Sequence, residues 1–169
     1  MKVVVDDVGR MFMQSGYGAL SRGFLISLSR YSRFKIYRVP YDRKFAPNIL
    51  DQSELLGIKT LHPDDADVVL RIGSPKVFKY NVPSIFYTQN ALADLIPEWV
   101  KIMSNADALI VPGEFDRRVF ERYFPNKVHT CPQYVDGDLF VPRPTYRKEG
   151  TEEFTFFLLV RMCIEKVQT

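Results

Sequence analysis

Cysteine and histidine are scarce in this chain of 169 residues, with two of each. Two thiols, Cys131 and Cys163, can build neither a disulfide framework nor a four-thiolate zinc site. They read as free, buried thiols. His62 and His129 lie far apart with no neighbouring Cys or His, so neither marks a metal motif. No apolar run reaches the ~18 residues of a membrane span. The N-terminal Val3-Val4-Val5 is too short for a signal peptide and reads as a strand. Excess charge is also missing, since 23 Lys plus Arg against 20 Asp plus Glu leaves +3. The basic residues are scattered, which argues against a nucleic-acid partner. Internal repeats, a nucleophile elbow, a Walker A loop and an H-E-x-x-H pair are all absent. The expected location is cytoplasmic, peripheral at a membrane at most.

What is present is a globular composition, 46% hydrophobic and 25% charged, with aromatics high at 14%. A chain of this length buries roughly 70% of its unfolded surface and makes about one domain. Lys2 to Val5 is β-branched and continuous, as a buried strand is. Asp7 to Tyr17 reads as a loop. From Gly18 a helical spacing begins, with Leu20, Phe24, Leu28 and Tyr31 on its apolar face and Ser21, Arg22 and Ser29 on others. Further strands are expected at 34–39, 67–72, 83–88, 108–111 and 127–131. Leu92, Ile96, Trp99 and Met103, widened by Leu95 and Val100, predict a helix between two of them. Phe115, Val119, Phe120 and Phe124 predict another. Residues 41–65, punctuated by Pro47, Gly57 and Pro63, carry no clear period. Residues 132–150 read as a linker, and 154–160 as a final apolar strand.

Strands alternating with helices call for an α/β fold: a Rossmann-like parallel sheet with helices on both faces. The strand at 154–160 fits two arrangements. It either opens a second domain or returns to the edge of the first sheet.

Several groups could carry chemistry. Ser15-Gly16-Tyr17-Gly18 joins the first strand to the first helix, where exposed N–H groups and the helix dipole favour an anion. The third glycine of the dinucleotide fingerprint is absent. Asp6 and Asp7 end the first strand, at the carboxyl edge where such sheets bind ligands; as loop residues they are expected to be solvated. Asp64, Asp65 and Asp67 are expected to cap local structure in a polar loop rather than hold a cation. Thr88-Gln89-Asn90 follows the fourth strand and offers donors and acceptors suited to hydroxyl-rich ligands; Asn90 could equally cap a helix. Arg161 and Lys166 can both reach one diphosphate if the chain between them curls, though such residues are more commonly surface charges.

Four stretches carry a resemblance. Ser15 to Leu25 is similar to a Gly-rich first loop and helix. Asn105 to Phe115, with Ala106-Asp107-Ala108-Leu109-Ile110-Val111-Pro112-Gly113-Glu114-Phe115, is similar to a strand followed by a Ser-Glu-Phe turn. Val128 to Phe140, with Pro132-Gln133-Tyr134-Val135-Asp136, is similar to a Pro-Asn-Gly-Val-Asp stretch. Phe154 to Lys166, with Phe157-Leu158-Leu159-Val160-Arg161, is similar to a strand leading to Gly-Arg and Lys-Gly. In this order they resemble the retaining glycosyltransferases of the two-domain GT-B fold, the family 4 group. The chain departs from that pattern at Gly113 for Ser, Gln133-Tyr134 for Asn-Gly, Val160 for the Gly before Arg161, and Val167 for the Gly after Lys166. Thr88-Gln89-Asn90 stands where many members carry a His.

The resemblance implies a Rossmann-like acceptor-side domain at 1–140, a linker at 141–153 and the start of a truncated donor-binding domain at 154–169. It implies transfer of a sugar from a nucleotide-sugar donor to a hydroxyl of a sugar, lipid or protein acceptor, with retention and with neither metal nor cofactor. Arg161 and Lys166 would neutralise the leaving diphosphate. Gly16, Tyr17, Gly18 and Asn90 would line an acceptor or phosphate cleft. No catalytic residue is assigned. The family's donor pocket, with its paired glutamates, falls beyond residue 169, so the isolated chain is expected to be inactive. Two other expectations stand beside this one. The chain could be a non-catalytic module that binds a separate donor-binding subunit, or a self-contained domain that binds a nucleotide at Gly16–Gly18.

Overall fold

The computed structural model describes residues 1–42, 44, 45, 52–76, 80–89 and 93–133. They belong to one compact unit, Met1–Tyr134. Asn90, Cys163, Arg161, Lys166, the linker and the strand expected at 154–160 lie outside the described residues.

Among the described residues six strands form one sheet: β1 (Lys2–Asp6), β2 (Lys35–Arg38), β3 (Val68–Ile72), β4 (Ser84–Tyr87), β5 (Ala108–Val111) and β6 (Val128–Thr130). Their order is β2-β1-β3-β4-β5-β6, and every pair is parallel. Among the described residues four α-helices join them: α1 (Gly16–Tyr31), α2 (Gln52–Gly57), α3 (Pro97–Met103) and α4 (Glu114–Glu121). This is the Rossmann-like α/β architecture that the alternation calls for.

The sheet is continued beyond β2 by a single parallel bridge, Arg38 to Thr60. Arg38 N–H donates to Lys59 O at 3.0 Å, and Leu61 N–H donates to Arg38 O at 3.1 Å. The chain therefore runs outward from β1 to β2 to Thr60, then returns to lay β3 on the other side of β1. That reversal makes the gap between β1 and β3 a topological switch point, where open α/β sheets take their ligands.

Both faces of the sheet are covered. On one, Val3, Val5, Leu70, Ile72 and Tyr87 pack with Leu25 of α1 and Leu55 of α2. On the other, Phe86, Leu109, Val111 and Val128 pack with Ile102 and Met103 of α3 and Val119 and Phe120 of α4. Alternate residues of one strand thus serve opposite cores, which is why the strands read as unbroken apolar runs. Val4 and Val5 are fully buried, and each such side chain contributes roughly 1.5–3 kcal/mol.

The helices differ from the sequence expectation in ways that have causes. α1 begins at Gly16 rather than Gly18, because Ser15 caps it by accepting the Gly18 N–H on Oγ at 3.1 Å. Its most buried stripe is Gly18, Ser21 and Leu25, while Tyr31 is 83% exposed. Small residues are needed there because the helix lies against the turn at Arg10–Phe12. A Cβ built on Gly18 would stand 2.2 Å from Met13 O and 2.7 Å from Arg10 O. α3 starts only at Pro97, which suits a first helical position and keeps Ile96 extended. Leu95 is buried, but as a loop residue ahead of the helix. Phe115 is 59% exposed instead of facing the core, and Phe124 is buried just beyond the end of α4. The turn at Arg10–Phe12 and α2 are too short to show a period in the sequence.

The two glycines at the start of α1 differ in a measurable way. Gly18→Ala should lower stability by about 3 kcal/mol, since both blocking atoms are backbone. Gly16→Ala, with nothing within 4 Å of the added carbon, should leave stability unchanged or raise it by about 0.5 kcal/mol. Urea unfolding of the two variants checks the pair.

Candidate functional site

The carboxyl ends of β1, β3, β4 and β6 lie along one edge of the sheet, because all the strands run the same way. At the switch point, β1 ends in Asp6, only 6% exposed and followed by the fully buried Asp7. Both aspartates are thus interior groups rather than solvated loop residues.

The Asp6 carboxylate collects four donors. They are the Val8 N–H at 2.9 Å, the Tyr41 hydroxyl at 2.5 Å, Arg71 Nη1 at 2.7 Å and the Tyr80 hydroxyl. Arg71 sits opposite Asp6 in the β1–β3 register, so the ion pair lies across neighbouring strands. Burial alone would raise the Asp6 pKa. The hydrogen bonds from Tyr41 and Tyr80, the Arg71 charge and the Val8 amide together hold it below the ordinary carboxylate value. Burial and the adjacent carboxylate raise the Tyr41 and Tyr80 pKa values well above that of a free phenol.

Asp7 faces a different environment. Its carboxylate accepts the Gly9 N–H at 2.8 Å and the Met11 N–H, closing the turn that leads into Arg10–Phe12. Burial nevertheless pushes its pKa up, against the pull of the Met11 and Gly9 amides, and the Asp6 charge adds to the rise. Val8, between Asp7 and Gly9, has φ of 58°. That conformation costs a β-branched residue about 1–2 kcal/mol and persists where surrounding contacts impose it.

Beyond this turn Arg10 reaches across the mouth of the switch point. Its Nη2 donates to Ser74 Oγ at 2.5 Å, just past the end of β3, and its guanidinium lies 4.8 Å from the Tyr17 ring centroid. Gly73 adopts φ of 127°, and a Cβ there would stand 2.9 Å from Arg10 Nη1. The glycine therefore serves both a left-handed turn and the space that the arginine occupies.

Further along the edge, the Tyr87 hydroxyl donates to Cys131 O at 3.3 Å. Burial, and then the nearby Cys131, move its pKa up to about 12, and Tyr17 is close enough to add to that rise. Gln133 Nε2 donates to Gln89 Oε1 at 2.9 Å, and the Gln133 side chain also bonds to Tyr87. Cys131 is exposed rather than buried. Thr88 is fully buried, and its Oγ1 has no hydrogen-bond partner among the described residues.

Of the residues singled out in the sequence, Gly16, Tyr17 and Gly18 form the first turn of α1 at this edge. Gly16 is exposed, Tyr17 stacks with Arg10, and Gly18 is packed against backbone. Gln89 is at the edge and exposed, whereas Thr88 points inward. Asp64, Asp65 and Asp67 do separate local work. The Asp67 carboxylate accepts the Lys2 N–H at 2.6 Å, Asp65 O accepts Lys2 Nζ at 2.7 Å, and Asp64 N–H donates to His62 Nδ1 at 3.4 Å. Among the described residues no group of three His, Cys, Asp or Glu side chains is placed to hold a metal ion, and no helix is long and apolar enough to cross a membrane.

Arg10 and Arg71 were not candidates from the sequence. Arg71 had a usable signal, because an arginine inside Val68-Val69-Leu70-Arg71-Ile72 needs a buried carboxylate. Arg10 had none, since its partners are Tyr17 and a serine 64 positions away. No known protein family's sequence profile matches the chain, and no curated protein matches it.

The two aspartates give the protein an acid response with a defined sign. Stability from Asp6 is complete above its unfolded value near 3.8 and is lost as pH falls through its lower folded value. Asp7 works in the opposite sense, since its ionisation penalty is present at neutral pH and relieved as pH falls through its raised folded value. Asp6→Asn should cost about 3 kcal/mol at neutral pH, because Arg71 is left without its counter-charge. It should also flatten the acid limb of the stability curve. Tyr41→Phe should cost about 1.5 kcal/mol. Urea unfolding from neutral to acid pH tests both, and an Asp6→Asn protein as stable as the parent would show the network to be idle.

Proposed function

We propose that the chain is the acceptor-side half of a retaining glycosyltransferase of the GT-B, family 4 type. The acceptor meets the carboxyl edge of the sheet at Arg10, Tyr17 and Gln89. The observation that carries this reading is the chemistry of that edge. It combines a guanidinium mounted on neutral groups with the hydroxyl and amide side chains of Ser74, Gln89 and Gln133, next to a topological switch point. Such groups bind hydroxyl-rich ligands by donating and accepting at once. The order of the four motif-like stretches supports the same reading. Sugar transfer also needs a nucleotide-sugar pocket, which a second domain supplies, with Arg161 and Lys166 holding the diphosphate.

In the mechanism this assigns, the described edge binds and orients the acceptor hydroxyl, and charge building on the leaving diphosphate is met by Arg161 and Lys166. The nucleotide sugar is a co-substrate, and no metal takes part. Reading the coding DNA through about 200 codons past residue 169, then expressing the joined product, tests this directly. The expected result is a second α/β domain with a Gly-rich loop and paired glutamates, and transfer of hexose from a UDP-, GDP- or ADP-sugar. A joined product that binds none of these donors would overturn the reading.

A further inference from the structure

The turn from α1 to β2 lies at the amino edge of the sheet, opposite the ligand edge. Residues 30–35 read Arg-Tyr-Ser-Arg-Phe-Lys, cations and aromatics interleaved with no acid among them. Helical spacing brings Tyr31 onto the stripe of Phe24 and Leu28, but the core stops short of it. Phe24 and Leu28 pack against that core, while Tyr31 is 83% exposed. Phe34 is 39% exposed, and the Arg33 guanidinium lies 5.5 Å from its ring centroid. The turn is fixed from within. Ser32 Oγ accepts the Phe34 N–H at 2.9 Å, and Met1 O accepts the Lys35 N–H at 3.1 Å.

The charges of this turn are only partly cancelled. Arg30 is neutralised by Glu54. Arg33 and Lys35 are exposed and make no ion pair among the described residues. Lys35 stands opposite Lys2 in the β1–β2 register, and like charges facing each other on neighbouring strands repel. Lys2 Nζ turns aside to a carbonyl, Asp65 O, at 2.7 Å. Asp67, a carboxylate at the same edge, accepts the Lys2 N–H and lies 3.9 Å from the N-terminal amine.

This surface calls for an anionic partner that also takes up aromatic side chains. A stable protein interface needs roughly 800 Å² from each side, more than residues 30–35 present. A bilayer needs only the side chains that enter it, aromatics at headgroup depth and cations among anionic lipids. We infer that the α1–β2 turn docks this domain on an anionic lipid bilayer, with Tyr31 and Phe34 entering the headgroup layer and Arg33 and Lys35 meeting its negative charge. Because the strands are parallel, the ligand edge lies at their far ends, roughly 16 Å away along the five residues of β1. Docking by the amino edge therefore turns the ligand edge toward water. The docking surface does not depend on the transferase reading.

The test mixes the 169-residue chain with vesicles of phosphatidylcholine alone, and of phosphatidylcholine with about one third phosphatidylglycerol. The bound fraction is read by co-sedimentation at low and high salt. Circular dichroism and urea unfolding confirm that each variant is folded. The parent is expected to bind the anionic vesicles, to leave the neutral ones free, and to lose binding several-fold at high salt. Arg33→Gln with Lys35→Gln should weaken binding about ten-fold or more, and Tyr31→Ser several-fold. Lys59→Gln with Lys101→Gln removes the same charge from exposed positions elsewhere and should leave binding unchanged. No binding to anionic vesicles overturns the proposal, as does equal binding to neutral ones. Equal binding by the parent and the Arg33 and Lys35 variant also overturns it. An equal loss in the two double variants reduces the effect to net charge and overturns the surface. Binding of polyglutamate through Arg33 and Lys35, with none to vesicles, assigns the turn to an acidic protein and overturns the bilayer.

Discussion

The buried carboxylate of Asp6 ties together four parts of the chain that are far apart in sequence. The turn at Val8, the segment after β2 at Tyr41, strand β3 at Arg71 and the approach to β4 at Tyr80 all converge on it. Burying a carboxylate and a guanidinium costs several kcal/mol per ion in lost hydration. That cost is offset only where each lone pair finds a donor, and here both oxygens are used. The network does little that an apolar cluster could not do for net stability. What it specifies is geometry: β1 must sit beside β3 with Asp6 opposite Arg71, and the two flanking segments must end where their hydroxyls reach the carboxylate.

The same constraint positions the ligand edge. The Asp6–Arg71 pair locks the register in which β3 ends, and Gly73 and Ser74 follow directly. Asp7, one residue on, shapes the turn that carries Arg10, and Arg22 braces that turn by donating to Met11 O and Met13 O, each at 2.9 Å. Arg71 and Arg10 therefore stand near one switch point with opposite fates. Arg71 is compensated from within, and Arg10 is held by an aromatic face and a hydroxyl that leave its charge intact.

The strands were legible because burial on both faces demands unbroken β-branched runs, and Val3-Val4-Val5 or Ala108-Leu109-Ile110-Val111 admit no other reading. The helices were legible in place but not in detail. α1 packs through Gly18, Ser21 and Leu25, so the spacing of Leu20, Phe24 and Leu28 marks a flank of the contact and not its centre. Pro97 cuts short a period that the apolar residues alone would extend backward. The site was the least legible part. Gly16 to Gly18 marked the junction of loop and helix, though the helix was expected only from Gly18, and Gln89 marked the end of β4. The cation at its centre acquires meaning only when residue 74 is brought beside residue 10, and no local pattern encodes that contact.

The placement of β1 also bears on how the chain is made. Val4 and Val5 are fully buried, yet β3, which covers one edge of their strand, is made after β1 and β2 and ends at Ile72. At about 5–20 residues per second, ribosomal synthesis leaves several seconds between the two. During that interval an apolar strand with open hydrogen-bonding edges waits outside the ribosome, paired at best with β2. Parallel sheets built around their first strand carry this exposure by construction. For this protein the hazard of misassociation belongs to the nascent chain, before Arg71 arrives to close on Asp6.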